Sequence, residues 1–156
     1  MAIILGYPGV GKSSVASRLN SFINLESSSF YINSVRDKNW YIYYCKIAEQ
    51  LSNQGYDVFL STHDVVRKEL KDSKQKKFIV YPVLSLKTQW IVRLEERHFR
   101  SKLLKDYQAL KRAQDHYDMD INELMNEPGF NKIEITYMPY NLLRIIEIHL
   151  WEIFEQ

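Results

Sequence analysis

One eight-residue stretch constrains this chain more than any other. Gly6-Tyr7-Pro8-Gly9-Val10-Gly11-Lys12-Ser13 fits G-x-x-x-x-G-K-[ST] at every defined position. At average glycine usage, a chance match in a chain this long arises about once in two hundred. Its flanks agree with it. The apolar run Ala2-Ile3-Ile4-Leu5 reads as a buried strand, and Val15, Ala16 and Leu19 recur afterwards at helical spacing. Glycines let backbone N–H groups turn inward around an anion with no Cβ in the way. The helix that follows points its positive end at the same place. Lys12 supplies a mobile positive charge, and the Ser13 hydroxyl is a small oxygen ligand suited to Mg²⁺. Pro8, Val10 and Ser14 complete the expected cradle.

The remaining pattern alternates short strands with helices. Strands are expected at 22–26, 57–61, 78–81 and 132–137. Residues 27–29 read as a loop. A helix over 39–54 carries Trp40, Tyr43, Tyr44, Ile47, Ala48 and Leu51 at three- and four-residue steps, mostly as core, with Gly55 placed for its C-terminal cap. A short helix follows through Leu70, and 71–77 read as a basic turn. Residues 86–112 read as helical, in two pieces broken near 99–102. A further short helix is expected at 120–126, with Asp118-Met119-Asp120 as a surface turn or cap. A closing helix over 141–154 carries Leu142, Ile146, Leu150, Ile153 and Phe154 on one stripe. Five strands alternating with helices predict an α/β fold with a mostly parallel sheet.

At 156 residues, with 46% hydrophobic and 26% charged side chains, the chain suits one globular domain over 1–156. No apolar run approaches the roughly 18 residues of a membrane span, and the uncharged N-terminal run is too short for a signal peptide. The single cysteine, Cys45, forms no internal disulfide, which fits a cytoplasmic chain with a buried thiol. The net charge of +2 is unevenly spread. Residues 67–112 hold fourteen bases against five acids, +9, while 113–156 hold two bases against nine acids, −7. A basic middle suggests an anionic ligand, although from charge alone solvated helix faces are the favoured reading. The four histidines have no zinc-site spacing.

With these residues in place, the chain resembles the P-loop kinases of small molecules: nucleoside monophosphate, shikimate and gluconate kinases. The resemblance covers most of the chain in layout and length, and only the 6–13 loop matches specifically. It implies the three-layer P-loop NTPase fold, an ATP site on the loop, an acceptor site after the second strand, and an arginine-bearing helical lid at about 86–112. Glu26, at the end of the second strand, then stands where such kinases carry an acidic residue that contacts acceptor or metal-bound water. Ser28 beside it offers a hydrogen bond to a ligand. Asp64, just past the third strand, is either the Mg²⁺ partner or the cap of the next helix. Arg67 falls where an arginine holds the acceptor's anionic group.

Arg93, Arg97 and Arg100 share one helix face by spacing, with Glu96 easing their repulsion and Trp90, Ile91 and Leu94 packing the other side. In the kinases resembled, such lid arginines close over ATP and neutralise charge on the transferring phosphoryl group. Lys87 is a weaker candidate on the same segment.

The expected activity is therefore phosphoryl transfer from ATP, with Mg²⁺, to a small anionic acceptor, most directly a (deoxy)nucleoside monophosphate. Two alternatives stay open. One keeps the chemistry and changes the acceptor to a polynucleotide 5′-end or a non-nucleotide metabolite. A nucleic-acid partner is the less favoured of these, because the +9 segment also suits an ATP lid. The other is a nucleotide-binding module without catalysis.

Overall fold

A computed structural model describes residues 1–33 and 35–154. The short apolar runs do become buried strands. β1 (Ala2–Gly6), β2 (Phe22–Asn24), β5 (Asp57–Leu60), β6 (Lys76–Pro82) and β7 (Asn131–Ile135) form one sheet in the order β2-β5-β1-β6-β7. Every pairing in it is parallel. β1 lies at the centre and is buried along its whole length, as a strand covered on both faces must be. Helices α1 (Lys12–Arg18), α2 (Trp40–Asn53), α3 (Asp64–Leu70), α4 (Lys87–Ser101), α5 (Leu104–Met125) and α6 (Leu142–Phe154) flank it. The protein is thus α/β, with a five-stranded parallel sheet flanked by helices. Among the described residues, no helix is long and apolar enough to cross a membrane.

Several elements differ from expectation for identifiable reasons. β2 stops at Asn24, because Glu26 begins a 3₁₀ turn over Ser27–Phe30 rather than ending the strand. A small antiparallel hairpin follows, β3 (Tyr31–Ile32) with β4 (Val35–Arg36). The basic stretch 71–77 is only partly a turn. β6 starts at Lys76, and the buried Lys77 ammonium is satisfied by the carbonyls of Leu70 and Lys71 at 2.8 and 2.7 Å.

The break in the long helical stretch falls where expected, at Lys102 (φ 56°). The second piece runs to Met125 with a kink at His116 (φ −137°), so the helical stretch beyond that kink starts a few residues ahead of the short helix expected at 120–126. Asp118-Met119-Asp120 therefore lies inside α5, not in a turn. Arg112 holds Asp120 with two hydrogen bonds of 2.9 and 2.8 Å, and Lys87 lies 3.4 Å from Asp118. Those tertiary partners remove the repulsion that makes acidic pairs look like helix ends. β7 ends at Ile135, and a segment containing Tyr140 leads into α6. Leu142 and Ile146 of the α6 stripe are buried. The side chains of Ile153 and Phe154, its last two expected members, lie outside the described residues. Cys45 is buried, and burial pushes its thiol up to about 12.

Candidate functional site

Parallel strands deliver their C-terminal ends to one edge of the sheet, where open α/β sheets form crevices. Here that edge holds a cleft of about 1320 Å³. The loop after β1 forms its floor. Gly9 (φ 91°) and Gly11 (φ 108°) adopt left-handed conformations that side chains resist. A Cβ at Gly9 would stand 2.9 Å from Leu94 and 3.3 Å from the Trp90 indole nitrogen, so its neighbours also demand glycine. Among the described residues, the backbone amides of Gly9, Gly11, Lys12, Ser13 and Ser14 find no acceptor. Lys12, Ser13 and Ser14 open α1, where first-turn amides have no intrahelical partner, and Gly9 and Gly11 add two more from the left-handed loop, so the free N–H groups cluster at one place.

Lys12 reaches back to the Gly6 carbonyl at 2.8 Å. Burial pushes its ammonium down to about 8; Glu26 opposes that shift, and Arg97 and Lys105 add to it. Glu26 accepts a hydrogen bond from Asn24 (2.8 Å) and lies 3.7 Å from Lys105.

The loop residues Gly6, Pro8, Gly9, Val10, Gly11, Lys12, Ser13 and Ser14 all line the cleft. So do Glu26, Ser28, Asp64, Arg67, Arg93, Arg97 and Arg100. Their local settings separate them. Arg67 is buried, and its Nε donates to the Thr62 carbonyl at 3.0 Å. Its two terminal nitrogens meet Glu123 and Glu127, each at 2.8 Å. Its charge is already matched inside the fold. Asp64 is exposed and lies 3.9 Å from Lys68. It does not cap α3, whose cap is His63 with no side-chain bond. Among the described residues, no group of three His, Cys, Asp or Glu side chains is arranged to hold a metal.

The arginine stripe also divides. Arg93 turns to the loop, donating from Nε to the Gly9 carbonyl at 2.6 Å. Trp90 does not pack the opposite face; its ring centroid lies 5.4 Å beneath the Arg93 guanidinium. Arg97 pairs with the buried Asp106 at 3.0 Å, fixing the α4–α5 elbow. Arg100, the outermost, takes the Glu96 partner expected for Arg93, at 3.6 Å. Lys87 points to Asp118, not to the cleft.

The opposite wall holds residues the sequence reading missed. Arg36 lies 3.8 Å over the Trp40 ring and 4.6 Å over Tyr31, with Nη1 donating to the Ser27 carbonyl at 3.4 Å. Trp40 is also edge-on to His63, whose imidazole is held below its ordinary pKa by desolvation and by Arg36. Lys105 and Asn24 surround Glu26. The Arg36–Trp40 pair had a visible signal, a four-residue spacing between a cation and an aromatic. Lys105 had none, since only the elbow at Lys102 brings it back over the sheet edge.

No family model matches this chain, and no curated protein matches it. The class the fold and cleft define is an α/β protein with a glycine-rich loop at the carboxyl edge of a parallel sheet.

Proposed function

We propose that the protein is a P-loop phosphotransferase that moves a phosphoryl group from ATP to a small anionic acceptor, a (deoxy)nucleoside monophosphate. The observation that carries this reading is the loop itself: five amides without acceptors among the described residues, beside a buried lysine that has no ion-pair partner among them. Such a site gains most from a ligand with several negative charges.

The roles follow from position. The loop amides and Lys12 hold the β- and γ-phosphates, and they stabilise charge most where water is excluded. Arg97 and Arg100 stand on the far rim and neutralise charge that shifts between donor and acceptor oxygens. Glu26, two residues beyond β2 at the start of the 3₁₀ turn, orients the acceptor. Arg36, seated on the buried Trp40, and Tyr31, Ser27 and Ser28 offer a cationic and aromatic wall suited to a base and its phosphate. Mg²⁺, when bound, would supply further charge neutralisation between phosphate oxygens. The Ser13 hydroxyl and Asp64 carboxylate are the hard oxygen donors that would hold it. A site completed by substrate phosphates needs no more protein ligands than that.

The test is coupled ADP release with ATP and Mg²⁺ against each ribo- and deoxyribonucleoside monophosphate, with Lys12→Ala as control. An acceptor-dependent rate lost in the variant supports the reading and names the acceptor. A flat panel with ATP binding intact removes the nucleotide acceptor. Salt-dependent binding of a single-stranded oligonucleotide would then point to a polynucleotide 5′-end. Its absence would leave a metabolite acceptor or a nucleotide-binding module without turnover.

A further inference from the structure

Three side chains grip three consecutive carbonyls of the glycine-rich loop. Trp90 Nε1 donates to the Pro8 carbonyl at 2.9 Å, Arg93 Nε to the Gly9 carbonyl at 2.6 Å, and the Tyr140 hydroxyl to the Val10 carbonyl at 2.7 Å. The donors form one unit. The Trp90 and Tyr140 rings stack with centroids 6.1 Å apart and planes 10° apart, and the Arg93 guanidinium lies 5.4 Å and 5.3 Å from them. Trp90 is wholly buried. Tyr140 comes from the segment before α6, far away in sequence, so this is a tertiary device and not part of the local motif.

We propose that Trp90, Arg93 and Tyr140 are positioning residues that clamp the loop backbone and so set the aim of its anion-binding amides. The inference rests on the phosphate-binding reading above and adds what holds that site in its binding form. A trans peptide places its C=O and N–H on opposite sides. Drawing the Pro8 carbonyl to Trp90 turns the Gly9 N–H the other way. Drawing the Val10 carbonyl to Tyr140 does the same for the Gly11 N–H. Those are two of the amides without an acceptor. The peptide between them, held by Arg93, sends the Val10 N–H to the Tyr7 carbonyl at 3.2 Å. Glycine gives each peptide freedom to flip, and a flipped peptide would present a carbonyl oxygen to the anion. The clamp removes that freedom. It also pins the first half of α4 to the loop, so Arg97 and Arg100 extend from a helix registered on the phosphate cradle.

Tyr140→Phe isolates the effect, since it keeps the stacked ring and deletes one hydroxyl. Two readouts on the full chain separate the outcomes. In the free protein, amide exchange at Val10, whose N–H is bonded to the Tyr7 carbonyl, should speed at least fivefold, with Val66 unchanged as a distant control. The dissociation constant for inorganic tripolyphosphate should rise three- to tenfold, while the thermal midpoint moves by no more than about 2 °C. Trp90→Phe should act in the same direction at Val10. Unchanged loop exchange together with unchanged affinity overturns the clamp, as does a loss of thermal stability with affinity intact. Faster loop exchange in a protein whose parent binds no tripolyphosphate supports the clamp and overturns the phosphate-binding reading.

Discussion

Arg67 and Lys12 face the same cleft, and the fold treats their charges in opposite ways. Arg67 sits between Glu123 of α5, Glu127 just beyond that helix and a backbone carbonyl, all within 3.0 Å. Among the described residues, Lys12 has one carbonyl partner and no carboxylate within ion-pair distance; burial presses its ammonium down to about 8, Glu26 opposes that shift, and Arg97 and Lys105 add to it. A withdrawn cation that is fully matched is scaffold, because an incoming anion would have to displace its partners. A withdrawn cation left with like-charged neighbours is held ready for an anion. The contrast assigns the two ends of the cleft different work, although both arginine and lysine read as ligand contacts in the sequence.

The largest effect should come from removing the matched charge. Arg67→Ala leaves Glu127, and partly Glu123, without the cation they face. Breaking a buried pair from one side costs about 3–5 kcal/mol, and the exposure of Glu123 puts this pair at the lower end, about 3 kcal/mol. Urea unfolding should show that loss, with ATP affinity unchanged in the folded fraction. A variant of normal stability with a raised acceptor KM would return Arg67 to the acceptor.

The next effect falls on the other cation. Lys12→Ala should lower kcat/KM about a hundredfold, as loss of a charge-stabilising donor does. Its stability should hold or rise, since the charge removed is a disfavoured one. The folded-state pKa of Lys12 is below the usual lysine value. Its contribution to stability is therefore least favourable below pH 8 and improves between about 8 and the unfolded value. An unfolding series from pH 7 to 10 that shows the parent gaining on the variant would check the sign.

A tenfold effect follows from the same titration. A polyanion prefers protonated Lys12, so tripolyphosphate affinity should stay level below pH 7. It should halve near pH 8 and fall about tenfold by pH 9. Lys12→Arg should flatten that profile, because guanidinium keeps its proton. A parent profile already flat through pH 9 would mean the lysine does not meet the anion.

The two cations also show what could be read from the sequence. The strands, their α/β alternation and the 6–13 loop were legible because each is a local pattern, an apolar run or a fixed spacing. The position of the α4–α5 break was legible for the same reason. The fate of Arg67 was not, since its partners Glu123 and Glu127 lie 56 and 60 residues away. Nor was the course of α5, whose two helical stretches meet at a kink at His116, with Arg112 before it paired to Asp120 beyond it. Tyr140 on the Val10 carbonyl spans 130 residues and leaves no periodic trace. The β3–β4 hairpin escaped because two-residue strands carry no alternation to detect.

The smallest effect should appear at that hairpin. Arg36 is held by two ring faces and one long hydrogen bond, on an element with exposed Ile32 and Val35. Stacking of this kind contributes about 0.5–1 kcal/mol at an exposed site. Arg36→Lys keeps the charge and loses the flat face that lies on Trp40. The acceptor KM should rise about threefold, with kcat within twofold and ATP affinity unchanged. If ATP affinity moves instead, the hairpin wall belongs to the donor nucleotide, and the acceptor must enter from the Glu26–Lys105 side. An unchanged KM for every acceptor would leave Arg36 as part of the packing around Trp40, and would place recognition on Ser28 and the 3₁₀ turn.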